Sequence, residues 1–159
     1  MNYLAPFLLT RLLLPSLLAA APARIVNVAS LGQGDVDFAD LQLERRYTGI
    51  EAYRRSKLAL IMFTFDLSEE LKNRDVTVNA LHPPTFMDTF MVREAGGAPR
   101  STVDEVADAI MKLAAAEETC GRTGEFFDGL QPGRARAQAY DEGVRERLRR
   151  VSLELTGAP

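Results

Sequence analysis

Tyr53 and Lys57 stand four residues apart in the stretch Glu51-Ala52-Tyr53-Arg54-Arg55-Ser56-Lys57-Leu58-Ala59-Leu60. On a helix of about 3.6 residues per turn that spacing puts both on one face. A phenol titrates near pH ~10 and is a poor acid or base at neutrality, but a fixed ammonium beside it favours the phenolate and brings proton transfer within reach. A solvated helix also produces a Tyr-x-x-x-Lys pair by chance, so its meaning depends on the elements around it.

Those elements are readable from apolar periodicity. The run Arg24-Ile25-Val26-Asn27-Val28-Ala29-Ser30-Leu31-Gly32 is β-branched and ends in small residues. It predicts a buried parallel strand that delivers Ser30 at its carboxyl end, where open α/β sheets bind ligands. Leu58, Ile61, Met62, Phe65, Leu67 and Leu71 predict a helix from Ile50 to Asn73, followed at once by a second strand, Val76 to Leu81, that Pro83-Pro84 stops. Strand, helix, strand is the right-handed crossover of a parallel sheet. Ser101 reads as the cap of a helix that runs to about Glu118 on Val106, Ala109, Ile110 and Leu113, with Asp104 and Glu105 in its first turn. Gly124-Glu125-Phe126-Phe127-Asp128-Gly129 predicts a third strand, and Ala137 to Thr156 a charged amphipathic helix that closes at Gly157. Between Gly32 and Gly49 the chain turns polar, with Asp35, Asp37, Asp40, Glu44, Arg45 and Arg46. This segment reads as a solvated loop with room for a short helix.

With 159 residues, 47% of them hydrophobic, the chain is expected to form a single domain spanning 1–159 with one sizeable core. A net charge of −3 gives no basic face for nucleic acid. Cys120 is the only cysteine, which excludes an internal disulfide and a cysteine-cluster metal site, and it points to a reducing, cytoplasmic location for a buried or loop thiol. Tyr3 to Ala20 is Leu-rich over nearly a bilayer's width, but Pro6, Thr10, Arg11 and Pro15 interrupt it. A buried helix, and not a membrane segment, is expected there.

Taken together, a strand ending in Ser30, a helix opening with Tyr53-x-x-x-Lys57 and a strand ending at Pro83-Pro84 resemble the short-chain dehydrogenase/reductase family. Asn2-Tyr3-Leu4-Ala5-Pro6-Phe7-Leu8-Leu9-Thr10 resembles the helix that carries that family's catalytic Asn. The 23 positions from Ser30 to Tyr53 are similar to the retinol-dehydrogenase-like branch, which carries an insertion here. The resemblance implies an α/β fold with a doubly wound, Rossmann-like parallel sheet, and an oxidoreductase that uses NAD or NADP. It makes Tyr53 the proton-transfer group and Ser30 the dipole that holds the substrate oxygen. Lys57 then lowers the Tyr53 pKa and reaches a ribose hydroxyl, and Asn2 anchors a relay water. It implies cofactor contacts from Tyr53, Lys57 and Pro83, with Thr85 and the Phe86 backbone replacing the donor that Pro84 removes. A lid containing Phe86, Met87, Phe90 and Met91 implies a small lipophilic alcohol or carbonyl substrate. The Tyr3 to Ala20 and Tyr53 to Leu71 helices imply a two-fold four-helix interface in a homodimer or homotetramer.

The resemblance covers only the carboxyl-terminal part of the family's fold. No Gly-x-x-x-Gly-x-Gly turn precedes the first helix, so the cradle for the cofactor pyrophosphate is missing, and Met1 stands directly before the Asn2 motif. Three expectations follow: an unpaired sheet edge beside the Ser30 strand, a coding sequence that continues in frame upstream of Met1, and a chain that is inactive by itself. The alternative to a truncated oxidoreductase is a non-catalytic remnant that acts only through association of its helices.

Overall fold

Ile25, Asn27, Val78, Ala80 and Phe126 alternate along their strands with Val26, Asn79, Leu81 and Phe127, and the two sets face opposite sides of one sheet. The computed structural model of the chain describes residues 1–84, 93–94, 96–98 and 101–159. Strands β1 (Ala23–Val28), β2 (Val76–His82) and β3 (Phe126–Asp128) are parallel with β2 in the middle. A two-residue strand β4 (Gln131–Pro132) returns antiparallel beside β3, so among the described residues the sheet has four strands and not the three expected. Two left-handed turn residues, Gly124 (φ +71°) and Gly129 (φ +60°), bracket β3, which accounts for the glycines at those positions.

The helices lie on both faces, as a doubly wound sheet requires. Helices α1 (Leu4–Ala19), α2 (Gly49–Glu70) and α4 (Glu142–Thr156) form one layer, and α3 (Val103–Ala115) covers the other face. Ile25, Val78, Ala80 and Phe126 meet the first layer, while Val26, Leu81 and Phe127 meet Ala109 and Leu113 of α3. Among the described residues, no helix is long and apolar enough to cross a membrane.

Local chemistry sets the boundaries. Thr48 caps α2, its hydroxyl accepting from the Glu51 N–H at 3.2 Å, and the helix ends just before Asn73 (φ +66°) and Asp75 (φ +53°) turn the chain into β2. Thr102, not Ser101, caps α3 through a reciprocal capping box with Glu105. Ser101 instead donates its hydroxyl to the Pro84 carbonyl at 3.2 Å. The expected last helix is broken at Asp141, which ends a 3-10 turn (Ala137–Tyr140) and caps α4 by accepting from Val144. Cys120 is exposed.

One further expectation changes in the structure. The strand β1 is only half buried, because β2 pairs with one side of it and, among the described residues, nothing pairs with the other. The side of α2 turned away from the sheet is covered within the chain by α4 and the 3-10 turn, and Phe7 of α1 packs with Leu60, Phe63 and Leu67, so that with the sheet every residue from 58 to 67 is buried. Three ion pairs line the α1, α2 and α4 seams: Arg11–Glu70 at 2.6 Å, Arg145–Glu69 at 2.8 Å and Arg149–Asp66 at 3.3 Å.

Of these contacts the apolar ones dominate. Leu148 of α4 is buried against Leu58, Met62 and Phe65, so Leu148→Ala should destabilise by about 2–5 kcal/mol in urea unfolding. Arg149 is 36% exposed, and Arg149→Ala should cost less than about 1 kcal/mol. The reverse ranking would mean that charge, not packing, holds α4 on α2.

Candidate active site

Tyr53 lies in the first turns of α2 and Lys57 one turn further, before the enclosed stretch of the helix begins. Burial of that stretch fixes the rotation of α2 and so aims both side chains at the carboxyl end of β1. Pairing of β1 with β2 extends one residue past the strand, the Ala29 N–H donating to the Leu81 carbonyl at 2.7 Å, and this sets Ser30 in a buried position. The Ser30 hydroxyl oxygen accepts from the Gly32 N–H at 3.0 Å, which leaves its own hydrogen free to donate elsewhere.

Gly32 is where Ser30 and Tyr53 meet. A Cβ at this position would lie 3.4 Å from Ser30 Oγ and 3.6 Å from Tyr53 Cε1, so the missing side chain leaves a small space flanked by both. Lys57 Nζ donates to the Val28 carbonyl at 2.8 Å and sits 5.6 Å from the centroid of the Tyr53 ring. Its ammonium is therefore anchored to the end of β1, with two hydrogens left for other acceptors. Burial lowers the Lys57 pKa below its ordinary value of 10.5. Asn2 occupies the exposed turn that leads into α1 and lines two depressions, one shared with Tyr53 and one with Lys57.

The structure thus brings Ser30, Tyr53 and Lys57 together at one end of the sheet, with Asn2 beside them. Pro83 and Pro84 follow β2 at the same end and are half buried. Next to them, burial holds the His82 imidazole below its usual pKa, with Asp128 opposing. Thr85 and Phe86, together with the expected lid residues Met87, Phe90 and Met91, lie outside the described residues. Among the described residues, no group of three His, Cys, Asp or Glu side chains could hold a metal ion.

The sequence reading missed the segment between Gly32 and Gly49. Its charges are solvated as expected, Asp35, Asp37, Glu44, Arg45 and Arg46 all being exposed, but it contains no helix and it has an apolar side: Val36 and Leu43 are buried, and Phe38 and Leu41 pack on the core. With Leu148 and Leu155 of α4, this loop walls a cavity of about 730 Å³ that opens beside Tyr53 and Asn2. Neither Ser30 nor Lys57 lines it. Tyr3 and Ser152, both in its lining, are joined by a 2.7 Å hydroxyl pair, and burial raises the Tyr3 phenol above its ordinary pKa. Apolar residues recurring among the acids (Val36, Phe38, Leu41, Leu43) were the available signal, but their spacing matches neither helix nor strand.

Comparison with known proteins adds three findings. Residues 1–99 match the sequence model of the short chain dehydrogenase family. The chain is 40% identical to retinol dehydrogenase 13 of Homo sapiens and 35% identical to retinol dehydrogenase 14 of Homo sapiens, over 98% of its own length in both cases. It spans about half the length of these curated relatives, 52% and 51%. Its fold is similar to that of an uncharacterized protein from Mycobacterium Paratuberculosis, with a TM-score of 0.73 and 28% identity over 99% of this chain and 57% of that one. It is also similar to NADPH-bound carbonyl reductase from chicken fatty liver, with a TM-score of 0.60 and 30% identity over 84% of this chain and 52% of that one.

The lowered pKa of Lys57 has a consequence for stability. Between the folded value and 10.5, the unfolded chain holds a proton that the folded chain has released, so stability rises with pH across that window and is lost as pH falls through the folded value. Lys57→Met removes this dependence. The stability of the wild type relative to Lys57→Met, from urea titrations at fixed ionic strength, should therefore climb through that alkaline window. A flat difference would contradict the burial of the ammonium.

Proposed function

The chain belongs to the short-chain dehydrogenase family, and from that premise we propose that it carries the proton-handling half of an NAD(P)-dependent oxidoreductase that interconverts an alcohol and a carbonyl. The observation that carries the reading is the space over Gly32, flanked by Ser30 Oγ and Tyr53, with Lys57 anchored behind the Tyr53 ring. An oxygen seated there would face one hydroxyl that can donate and one phenol that can exchange a proton.

On this reading Tyr53 takes the hydroxyl proton of an alcohol, or gives it to a carbonyl oxygen, and Ser30 holds that oxygen through its free hydrogen. Lys57 keeps a positive charge within reach of the phenol, and Asn2, at the exposed rim, anchors a water that relays the proton outward. The residues present fit the nicotinamide riboside end of NAD or NADP: the remaining Lys57 hydrogens suit ribose hydroxyls, and Pro83 borders the same end of the sheet. When bound, the nicotinamide accepts or supplies the hydride. The fit does not extend to the pyrophosphate, for which these residues hold no Gly-rich strand-to-helix turn. The reading therefore includes no tight cofactor binding and no turnover by the 159-residue chain alone; the proposed cytoplasmic location rests separately on the single cysteine, Cys120.

A small lipophilic substrate is part of the proposal. It is supported by the name retinol dehydrogenase that the relatives carry and by the apolar cavity beside Tyr53. A second reading, association through helices without catalysis, is favoured by α1, whose Leu9 (58% exposed), Leu12 and Leu13 face outward. Sedimentation that finds a dimer or tetramer abolished by Leu9→Lys would support an interface on α1.

Two measurements test the catalytic reading. In a form of the protein that turns over, Tyr53→Phe should keep less than about a tenth of the activity while leaving the melting temperature unchanged, because only the acid-base oxygen is lost. Retention of more than that removes Tyr53 from its role. Fluorescence titration of the 159-residue chain with NADH and NADPH should show no tight binding, and a dissociation constant near ~1 μM would overturn that part.

A further inference from the structure

Ser30 belongs to a loop whose ties reach about a hundred positions along the chain. Its carbonyl accepts from Gln33 Nε2 at 3.0 Å, and Gln33 Oε1 accepts in turn from the Arg136 N–H at 2.9 Å. Two residues on, the Arg136 guanidinium grips both oxygens of Asp35 at 2.7 and 2.8 Å. The Gln138 carboxamide pairs with Val36 as a strand would, accepting from its N–H at 2.7 Å and donating to its carbonyl at 3.0 Å. On the other side the Gly34 N–H donates to the Arg54 carbonyl at 3.0 Å, next to Tyr53 in α2. The segment from Ser30 to Val36 is thus clamped between the first turns of α2 and residues 135–140.

We propose that Gln33, Arg136 and Gln138 are positioning residues: residues 135–140 hold Ser30 against Tyr53 across Gly32, so the carboxyl-terminal part of the chain sets the geometry of the site. None of the three reaches the space over Gly32: Gln33 and Gln138 act on the backbone of the Ser30 loop, and Arg136 acts on the Gln33 and Asp35 side chains. The role they serve rests on the reading of Ser30 above, but the clamp itself does not.

The three ties differ in weight. Arg136 and Asp35 are both about half exposed, so salt and water weaken their pair. Gln138 meets the backbone of Val36, whose side chain is buried, and its loss strands two polar groups. The Gln33 bridge is the direct one, since it ends on Ser30 itself.

A test without activity is available, because the Gly32 N–H bonds to Ser30 Oγ and its hydrogen exchange reports where that oxygen sits. Exchange is followed by NMR on the 159-residue chain. In Gln33→Leu, the Gly32 and Arg136 amides should exchange at least about tenfold faster, with the Val78 amide in the core of β2 unchanged. Arg136→Pro gives a second approach: Arg136 has φ −59°, which proline adopts, so the substitution deletes the N–H without forcing the backbone. Arg136→Pro should accelerate Gly32 as Gln33→Leu does, and Arg136→Ala, which keeps the N–H, should not. An unchanged Gly32 amide in both Gln33→Leu and Arg136→Pro refutes the clamp, whatever Tyr53→Phe does.

In a form that turns over, Gln33→Leu should lower kcat by about tenfold with KM moved less than about threefold, and it should add nothing in a Ser30→Ala background. Additive losses would mean that Gln33 does not act through Ser30. If Gly32 exchange responds while Tyr53→Phe stays active, the clamp stands and the catalytic reading falls.

Discussion

From residue 58 to residue 67 every side chain of α2 is buried, because the sheet takes one side of the helix and α4 with its preceding 3-10 turn takes the other. Each large aliphatic side chain in that stretch gains about 1.5–3 kcal/mol from leaving water, so rotating or sliding the helix would expose several at once. The first turns of α2 are exposed enough to do chemistry, yet they inherit their orientation from this enclosed stretch. Tyr53 and Lys57 are aimed by packing that lies beyond them in the helix.

Polar contacts refine this arrangement and contribute less to it. Arg11 and Arg145 are buried with carboxylate partners, Glu70 and Glu69, and removing one partner would strand a guanidinium at a cost well above what the pair contributes. Within the sheet, Asn27 reaches Thr64 of α2 at 2.9 Å, and Asn79 bridges the start of β3 by accepting from Glu125 and donating to Arg122. Arg24 donates to the carbonyls of Leu113 and Ala116 at the end of α3. Each fixes a register or a helix end that apolar contact alone would leave free to slide.

The open side of β1 bears directly on the site. Val28, the last residue of that strand, is 38% exposed, and its carbonyl is the acceptor that Lys57 covers. Lys57 therefore serves the sheet edge and the phenol together. Beside it, the loop after Ser30 is tied to α2 on one side and to residues 135–140 on the other, so one end of the sheet collects groups from widely separated parts of the chain.

The sequence by itself determined the elements and their order. Period-two and helical apolar patterns act locally, and so do caps and left-handed turns, which is why β1, α2, β2, α3 and β3 were legible to within a few residues. Ser30, Tyr53 and Lys57 could be named because the strand, helix and strand that carry them resemble, in their order, the short-chain dehydrogenase/reductase family; the spacing alone was too short a pattern to decide. Tertiary structure decided the rest. Only three-dimensional packing puts α4 over α2, buries Val36 and Leu43 in a loop whose composition is that of a surface, and makes Thr102 rather than Ser101 the cap of α3. It also decided that Gln138 pairs with Val36, since a carboxamide hydrogen bond across about a hundred residues leaves no periodicity in the sequence. Such contacts depend on where two distant backbones meet, and only the folded chain specifies that.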